Sequence, residues 1–286
     1  MIPPEFDYVR VSSVDEATAA LAGGGEDAKV LAGGQSLIPL LRLRLAYPST
    51  LVDVGGIADM KGVREDGDAI VIGASTTHAE VLGDPVVQKH APLVALATAT
   101  VADRQVRHRG TFGGSLSHAD PAGDLPAVAA ALDASFVIAS SGGGRRTVGA
   151  GEFFSDYLQT AIGPGELLVE VRIPKLGDGW GFHYEKFHRV AQAWAIVGVA
   201  AAVRRSNGDI AEARIGLTNM GPTPVRARAV ESALAGVAVE ASAVGEAAAK
   251  ADDGTSPPSD LGGQADYRRH LVRVLTRRAV MAAAGT

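Results

Sequence analysis

The chain has 286 residues, of which 47% are hydrophobic and 21% charged, which is enough for one large domain or two to three smaller ones. Its net charge of −5 gives no basic excess that could displace counterions from phosphates, which argues against a nucleic-acid partner. It contains no cysteine, which excludes iron–sulfur clusters, thiolate zinc sites, disulfides and cysteine nucleophiles on this chain.

Neither a membrane span nor a targeting segment is predicted. The longest apolar stretch, Trp194 to Val203, has about half the length that a membrane helix needs. Residues 1–8 lack the basic stretch and the apolar run of a signal peptide. We therefore expect a cytoplasmic protein.

Residues 1–56 are predicted to form a small α/β domain. Ser13 and Glu16 have the spacing of a capping box, which marks the start of a helix. Residues 33–36 (Gly-Gly-Gln-Ser), named here the first glycine loop, lead into a second helix with Ser36 as its predicted N-cap. The predicted elements alternate: helix 17–21, strand 29–32, helix 37–45 and strand 50–54.

Residues 57–178 are predicted to form a second α/β domain. Thr77 and Glu80 make another capping box, and Asp124 stands where an N-cap is expected. Pro174 and the glycines after it mark the end of the domain. The predicted elements are strands over residues 69–73, 135–140 and 167–173 and helices over residues 85–100 and 125–132.

Residues 179–286 are predicted to form an antiparallel sheet with helices. Asn207-Gly208 is a strong hairpin signal. The predicted strands cover residues 182–187, 194–204 and 210–217, and the predicted helices cover residues 225–234, 238–250 and 267–284. The last helix is expected to bury Leu271, Val274 and Leu275. Its arginines are expected to contact solvent or another subunit: Arg268, Arg269, Arg273, Arg277 and Arg278.

Two loops combine glycines with hydroxyl side chains. One is the first glycine loop, and the other, residues 110–115 (Gly-Thr-Phe-Gly-Gly-Ser), is named here the second glycine loop. Glycines let the backbone approach a phosphate closely, and N–H groups at a helix start carry partial positive charge. The dinucleotide and P-loop fingerprints are both absent. The pair of loops therefore favours a diphosphate bound mainly by backbone N–H groups.

Other candidate residues each allow two interpretations, one functional and one structural. Lys186 fits either a cofactor contact or an edge-strand charge, and Trp194 fits either a cofactor contact or core packing. The seven histidines show no metal-binding spacing, so no metal site is predicted, and no catalytic acid–base pair is found. A basic cluster precedes the second glycine loop and is either solvated or in contact with a phosphate or a partner subunit: Arg104, Arg107, His108 and Arg109.

Several motifs resemble those of a known family, the FAD-binding medium subunits of molybdenum hydroxylases. Medium chains of the xanthine dehydrogenase type and of the aerobic carbon monoxide dehydrogenase type belong to this family. The resemblance rests on residues 32–39 (AGGQSLIP), 103–115 and 120–127 (DPAGDLPA). It extends to residues 165–168 (GELL), Ile173-Pro174 and residues 184–187 (YEKF), and so covers the whole chain.

The resemblance implies an α+β fold of the p-cresol-methylhydroxylase type, in which two α/β subdomains hold non-covalent FAD and precede a C-terminal antiparallel sheet with helices. It places Asp124 at the ribose–adenine side, Leu168 against the flavin ring, Lys186 at the polar edge of the ring and Trp194 close to the ring. The remaining implied cofactor residues lie in the two loops, mostly around the pyrophosphate: Ala32, Gly33, Gly34, Gln35, Ser36, Leu37, Thr111, Phe112, Gly113, Gly114 and Ser115.

Two positions depart from the family pattern. Ala193 stands where relatives often have an acidic residue, so a carboxylate role is lost there. Gln35 stands where carbon monoxide dehydrogenases often have histidine, which argues slightly against carbon monoxide as the substrate.

The implied function is electron transfer. Electrons would pass from a molybdenum cofactor in a large subunit, through [2Fe–2S] clusters in a small subunit, to FAD on this chain and then to an external acceptor. A heterotrimer or a dimer of heterotrimers is expected, and the absence of cysteine agrees with clusters on another chain. Two alternatives remain. A stand-alone flavin reductase of the same fold would need a proton donor and a substrate arginine that the sequence does not reveal. A flavin-free scaffold subunit is disfavoured by the intact glycine loops.

Overall fold

Three sheets, each made of strands from one part of the chain, organise the α+β fold of this computed structural model, which describes residues 2–285. The first part contains β1 (Asp7–Arg10), α1 (Val14–Gly24), β2 (Ala28–Leu31), α2 (Leu37–Arg42) and β3 (Thr50–Asp53). Its sheet is parallel, with β3 in the centre. The Ser13 hydroxyl caps α1 as predicted, by accepting from the Glu16 N–H. Ser36 occupies the N-cap position of α2 as predicted, but its side chain makes no capping hydrogen bond within residues 2–285. α2 ends early because Arg44 has a φ of 56°.

The second part forms an antiparallel sheet of strand order β4-β5-β10-β6-β7 and a small β8-β9 hairpin. Its strands are β4 (Val63–Asp66), β5 (Ala69–Gly73), β6 (Ser135–Ala139), β7 (Arg145–Gly149), β8 (Phe154–Asp156), β9 (Gln159–Thr160) and β10 (Leu167–Pro174). Its helices are α3 (His78–Gly83), α4 (Pro85–His90), α5 (Pro92–Ala99), α6 (Arg104–Arg107), α7 (Phe112–His118), α8 (Asp124–Ala131) and α9 (Ala150–Phe153).

Two helix predictions in this part need correction. The helix expected over residues 85–100 is two helices, because a residue that precedes proline is kept out of the helical conformation, and Ala91 has φ −139° and ψ 56° before Pro92. α8 begins at Asp124 itself, with Gly123 at the N-cap position, so Asp124 is not the cap. The second glycine loop runs into α7, a helix that its glycine content does not predict.

The third part is an antiparallel sheet covered by helices. It contains β11 (Trp180–Phe187), β12 (Val197–Ser206), β13 (Asp209–Thr218), β14 (Val225–Arg226), α10 (Arg228–Leu234), β15 (Val237–Ala238), α11 (Ala241–Ala248) and α12 (Ala265–Ala283). The predicted hairpin at Asn207-Gly208 is confirmed, with Ser206 paired to Asp209. α10 and α11 are shorter than predicted, because β14 and β15 both pair with β13.

β12 lies between two hydrophobic cores. Val199 and Val203 belong to the core of the third part, whereas Ala200 and Ala202 belong to the core shared by the first two parts. Burial on both faces explains why this strand is continuously apolar. Gly216 of β13 lets the sheet approach α8 closely, since a Cβ there would overlap the carbonyl group of Ala127. The division into three independent domains stays a prediction.

α12 buries Leu271 and Leu275 as predicted, while Val274 is half-buried. The predicted solvent contact of Arg268 is wrong, because this residue is only 1% exposed. Its guanidinium donates to the carbonyl oxygen of Ile196 and lies 2.6 Å from a carboxylate oxygen of Asp260. Among residues 2–285, no helix is long and apolar enough to cross a membrane.

Candidate functional site

A cavity of about 1000 Å³ is lined by residues from all three parts of the chain. It brings together the two glycine loops, the segment from residue 158 to residue 168, and residues 192–194. Phe112 is 2% exposed, packs in the core and does not line the cavity. The other predicted site residues all line it: Ala32, Gly33, Gly34, Gln35, Ser36, Leu37, Thr111, Gly113, Gly114, Ser115, Asp124, Leu168, Lys186 and Trp194.

The two glycine loops touch each other through their backbones. A Cβ on Gly33 would overlap the carbonyl oxygen of Arg109 and lie 2.7 Å from the Cα of Gly110. A Cβ on Gly113 would lie 2.6 Å from the Cα of Ala74, at the end of β5. A side chain on Gly33 would push the two loops apart, and one on Gly113 would push the second loop away from the end of β5.

Four consecutive N–H groups of the second glycine loop, those of residues 112–115, already have acceptors. Those of Phe112 and Gly113 donate to the carbonyl oxygens of Thr76 and Ala74, each at 2.9 Å. That of Gly114 donates to the Thr111 hydroxyl at 3.1 Å, and that of Ser115 donates to the Thr111 carbonyl oxygen at 3.0 Å. Two of these hydrogen bonds therefore fix the loop to the segment after β5, and the other two lie within the loop.

The first glycine loop differs from the second in the hydrogen bonding of its backbone N–H groups. Within residues 2–285, the N–H groups of Gly33, Gly34, Gln35 and Ser36 have no acceptor. Gly34 has a φ of 71°, a conformation that glycine adopts without strain. Successive free N–H groups in such a turn form a concave donor site that suits an anion. The prediction that both loops supply backbone donors thus fits the first loop far better than the second.

Two buried polar side chains that the sequence analysis does not predict also line the cavity. Oγ of Ser75 and Nδ1 of His78 are buried without a hydrogen-bond partner among the described residues. Burial lowers the pKa of His78 to about 4, with a smaller effect from Arg107, so the ring is neutral at neutral pH. The backbone N–H of His78 donates to the Gly110 carbonyl oxygen at 2.9 Å, which joins α3 to the second glycine loop. The capping box at residues 77–80 explains this segment as a helix start, and so gives no signal of a cavity.

Asp124 and Lys186 form a buried ion pair that lines the cavity. Their side chains are each 4% exposed, and Lys186 Nζ lies 2.8 Å from Asp124 Oδ2. The Tyr184 hydroxyl donates to Asp124 Oδ1 at 2.7 Å, and Lys186 Nζ donates to the Thr100 carbonyl oxygen at 3.1 Å. Burial raises the pKa of Asp124, whereas Lys186 and Tyr184 act in the opposite direction. Lys186 is therefore not a solvated edge-strand charge.

Because Asp124 and Lys186 are in contact, their polar atoms lie at one place in the cavity wall. The resemblance assigns these residues to different parts of FAD, the ribose–adenine side and the flavin ring. Their contact instead favours one shared subsite.

Trp194 lines the cavity and is 56% exposed, so the core-packing alternative is wrong. The strand predicted to start at Trp194 begins at Val197 instead. The chain just after it is fixed, because the Asn219 side chain donates to the Ala195 carbonyl oxygen at 2.8 Å. In the basic cluster, Arg107 bonds to the Val101 carbonyl oxygen at 2.7 Å, whereas Arg104, His108 and Arg109 are exposed.

Two family models together match nearly the whole chain. The model described as FAD binding domain in molybdopterin dehydrogenase matches residues 4–176, and the model described as CO dehydrogenase flavoprotein C-terminal domain matches residues 182–283.

Individual proteins are similar over the same length. The carbon monoxide dehydrogenase medium chain of Hydrogenophaga pseudoflava is 42% identical, over 99% of this chain and 98% of the relative. The 6-hydroxypseudooxynicotine dehydrogenase complex subunit alpha of Paenarthrobacter nicotinovorans is 39% identical, over 98% of this chain and 95% of the relative. A solved structure of Hydrogenophaga pseudoflava carbon monoxide dehydrogenase that lacks the Mo-pyranopterin moiety of its molybdenum cofactor matches with a TM-score of 0.95 at 44% identity, over 99% of this chain and 98% of that one.

Proposed function

Because this chain belongs to the family of FAD-binding subunits of molybdopterin dehydrogenases, we propose that its cavity binds FAD and that the chain is the electron-transfer subunit of a molybdenum hydroxylase complex. A flavin exchanges electrons singly or in pairs, and so links one-electron carriers to a two-electron acceptor.

The observation that carries the proposal is the set of four N–H groups in the first glycine loop that have no acceptor in the part of the chain that the structure describes. They suit the pyrophosphate of FAD, whose negative charge needs donors that are not already used. The hydroxyl groups of Ser36 and Ser115 border the same cavity and add two further donors. Leu168 and Trp194 also line the cavity and would offer apolar groups to the flavin ring.

The partners follow from the relatives and from the composition. Similar proteins are named as a medium chain and as a subunit of a dehydrogenase complex. This chain has no cysteine to hold an iron–sulfur cluster. We infer a small [2Fe–2S] subunit and a large molybdenum-cofactor subunit as partners, in a cytoplasmic heterotrimer or dimer of heterotrimers. Relatives named for carbon monoxide and for 6-hydroxypseudooxynicotine match almost equally well, which supports a substrate site on another chain.

An absorption spectrum of the purified native protein, taken before and after acid precipitation, tests the FAD assignment. Bands near ~370 and ~450 nm that pass into the supernatant are expected for non-covalent flavin. Two additional polypeptides in the same preparation are expected from the partner assignment. A folded, colourless protein that does not take up added FAD contradicts the proposal and favours a scaffold role. A flavin-containing protein that purifies alone and reduces a substrate favours the stand-alone reductase.

A further inference from the structure

The buried pair of Asp124 and Lys186 has unused donor capacity toward the cavity. A lysine ammonium group has three N–H donors, and within residues 2–285 those of Lys186 have two acceptors, Asp124 Oδ2 and the Thr100 carbonyl oxygen. Both side chains line the cavity at 4% exposure. The third N–H of Lys186 is therefore available to a ligand.

The pair is held from several sides. Thr100 is the C-cap of α5, where the carbonyl groups favour a cation, and Asp124 is the first residue of α8, where the N–H groups favour an anion. Tyr184 fixes the carboxylate from β11, and it also lies 3.2 Å from the Thr218 hydroxyl. Gly198 leaves room for this arrangement, since a Cβ there would lie 2.6 Å from the Tyr184 hydroxyl. Lys186 therefore has little freedom to move toward or away from a ligand.

The charges of the pair indicate which part of FAD it contacts. A diphosphate would meet the Asp124 carboxylate beside the ammonium group, and the repulsion would offset the attraction. The oxidised flavin ring is neutral and carries both donors and acceptors at its polar edge, which suits a pair of zero net charge. Two-electron reduction adds one or two protons to the ring, so the reduced ring carries up to one more negative charge than the oxidised ring.

We propose that Asp124 holds Lys186 at the polar edge of the flavin ring and offsets its charge, so that the pair sets the reduction potential of bound FAD. The inference rests on the proposed FAD function. Lys186 stabilises the reduced ring, and Asp124 limits that stabilisation, because charges in a buried site are weakly screened. Asp124 is a positioning residue in this arrangement, and Lys186 is the residue that touches the cofactor.

The test is a spectroelectrochemical titration of the FAD-loaded protein in four forms: wild type, Asp124→Asn, Lys186→Met and the double variant. Asp124→Asn is expected to raise the potential and Lys186→Met to lower it. The double variant restores zero net charge and is expected to lie between the two. Each single change should alter the preference for reduced over oxidised FAD at least tenfold, which corresponds to about 30 mV for a two-electron couple.

Lys250→Met is the matched control, because it removes the same charge from an exposed position outside the cavity lining, and no shift is expected. If Asp124→Asn does not fold, Tyr184→Phe removes one donor from the carboxylate and should lower the potential by a smaller amount. Unchanged potentials, or shifts of the same sign in both single variants, overturn this inference but leave the proposed FAD function intact. A folded wild-type protein that binds no FAD overturns the proposed function and this inference with it.

Discussion

The two glycine loops look alike in sequence, but the structure uses them differently. Each has two adjacent glycines followed closely by a serine. In the first loop, four consecutive N–H groups lack an acceptor among residues 2–285, whereas in the second loop the N–H groups of residues 112–115 are all bonded. The first loop therefore offers the backbone donors that the proposed FAD site requires, whereas the donors of residues 112–115 are used within the protein.

The difference comes from what surrounds each loop. The second loop packs beside the segment that follows β5, where the carbonyl oxygens of Ala74 and Thr76 accept its N–H groups, and Thr111 pairs with Thr77 in an isolated bridge. The first loop lies between β2 and α2, and its Gly33 packs on the backbone at Arg109 and Gly110. A similar motif thus becomes a donor site only where its neighbours leave the donors free.

The largest expected effect comes from breaking the contact between the loops. In Gly33→Ala, the new Cβ overlaps the Arg109 carbonyl group, so backbone must move, and we expect a loss of about 3 kcal/mol in the free energy of unfolding. Urea unfolding of the apoprotein measures it. Gly151→Ala is the control, since a Cβ there meets nothing within 4 Å, and no loss is expected. Equal stability of the two variants would show that the loop contact is not tight.

A second, pH-dependent effect tests the burial of His78, whose backbone N–H donates to the second glycine loop at Gly110. The pKa of His78 is lowered from 6.5 to about 4 in the folded protein, so the unfolded state binds more protons between these pH values. Stability should therefore fall as pH drops through this window, by about 2 kcal/mol from pH 7 to pH 5. His78→Gln should remove that part of the pH dependence, whereas the exposed-site control His270→Gln should retain it. Parallel pH profiles for wild type and His78→Gln would contradict the assignment.

Much of the fold could be predicted from local sequence. β5 has its predicted bounds, and the turn at Asn207-Gly208 forms as expected, because both signals are complete within a few residues. The strands β4 and β7 were harder to predict because they are polar and largely exposed edge strands without a clean alternation.

The candidate site could be predicted only in part. Local motifs indicate the two loops, and the cavity contains nearly all of the residues that they suggest. The ion pair of Asp124 and Lys186 joins residues far apart in sequence, and a local reading instead explains Asp124 as an N-cap. Whether a backbone N–H is free depends on its tertiary neighbours, so the contrast between the loops has no sequence signal.

A smaller effect separates ligand binding from folding in the first loop. Gly34→Ala places an L residue at φ 71°, and Gly67→Ala does so at φ 59° in the turn between β4 and β5. Each should lose about 1 kcal/mol of stability, because the left-handed conformation is strained. Gly34→Ala should lose somewhat more than Gly67→Ala, because its Cβ would also lie 2.7 Å from Ile38 Cδ1. In Gly34→Ala alone, FAD affinity should fall at least tenfold, as measured by titration of flavin fluorescence. Equal FAD affinities of the two variants would show that Gly34 is not part of the FAD-binding site.

The smallest expected effect compares the hydroxyl groups of the loops. Thr111→Ala removes the acceptor of the Gly114 N–H and should cost about 1 kcal/mol of stability. Ser36 makes no capping bond, so Ser36→Ala should change stability by less than about 0.5 kcal/mol. If the first loop receives the pyrophosphate, FAD affinity should follow the reverse order, with Ser36→Ala weaker by about 1 kcal/mol of lost hydrogen bonding and Thr111→Ala less affected. The same order in both measurements would mean that the second loop, and not the first, carries the main contact with the cofactor.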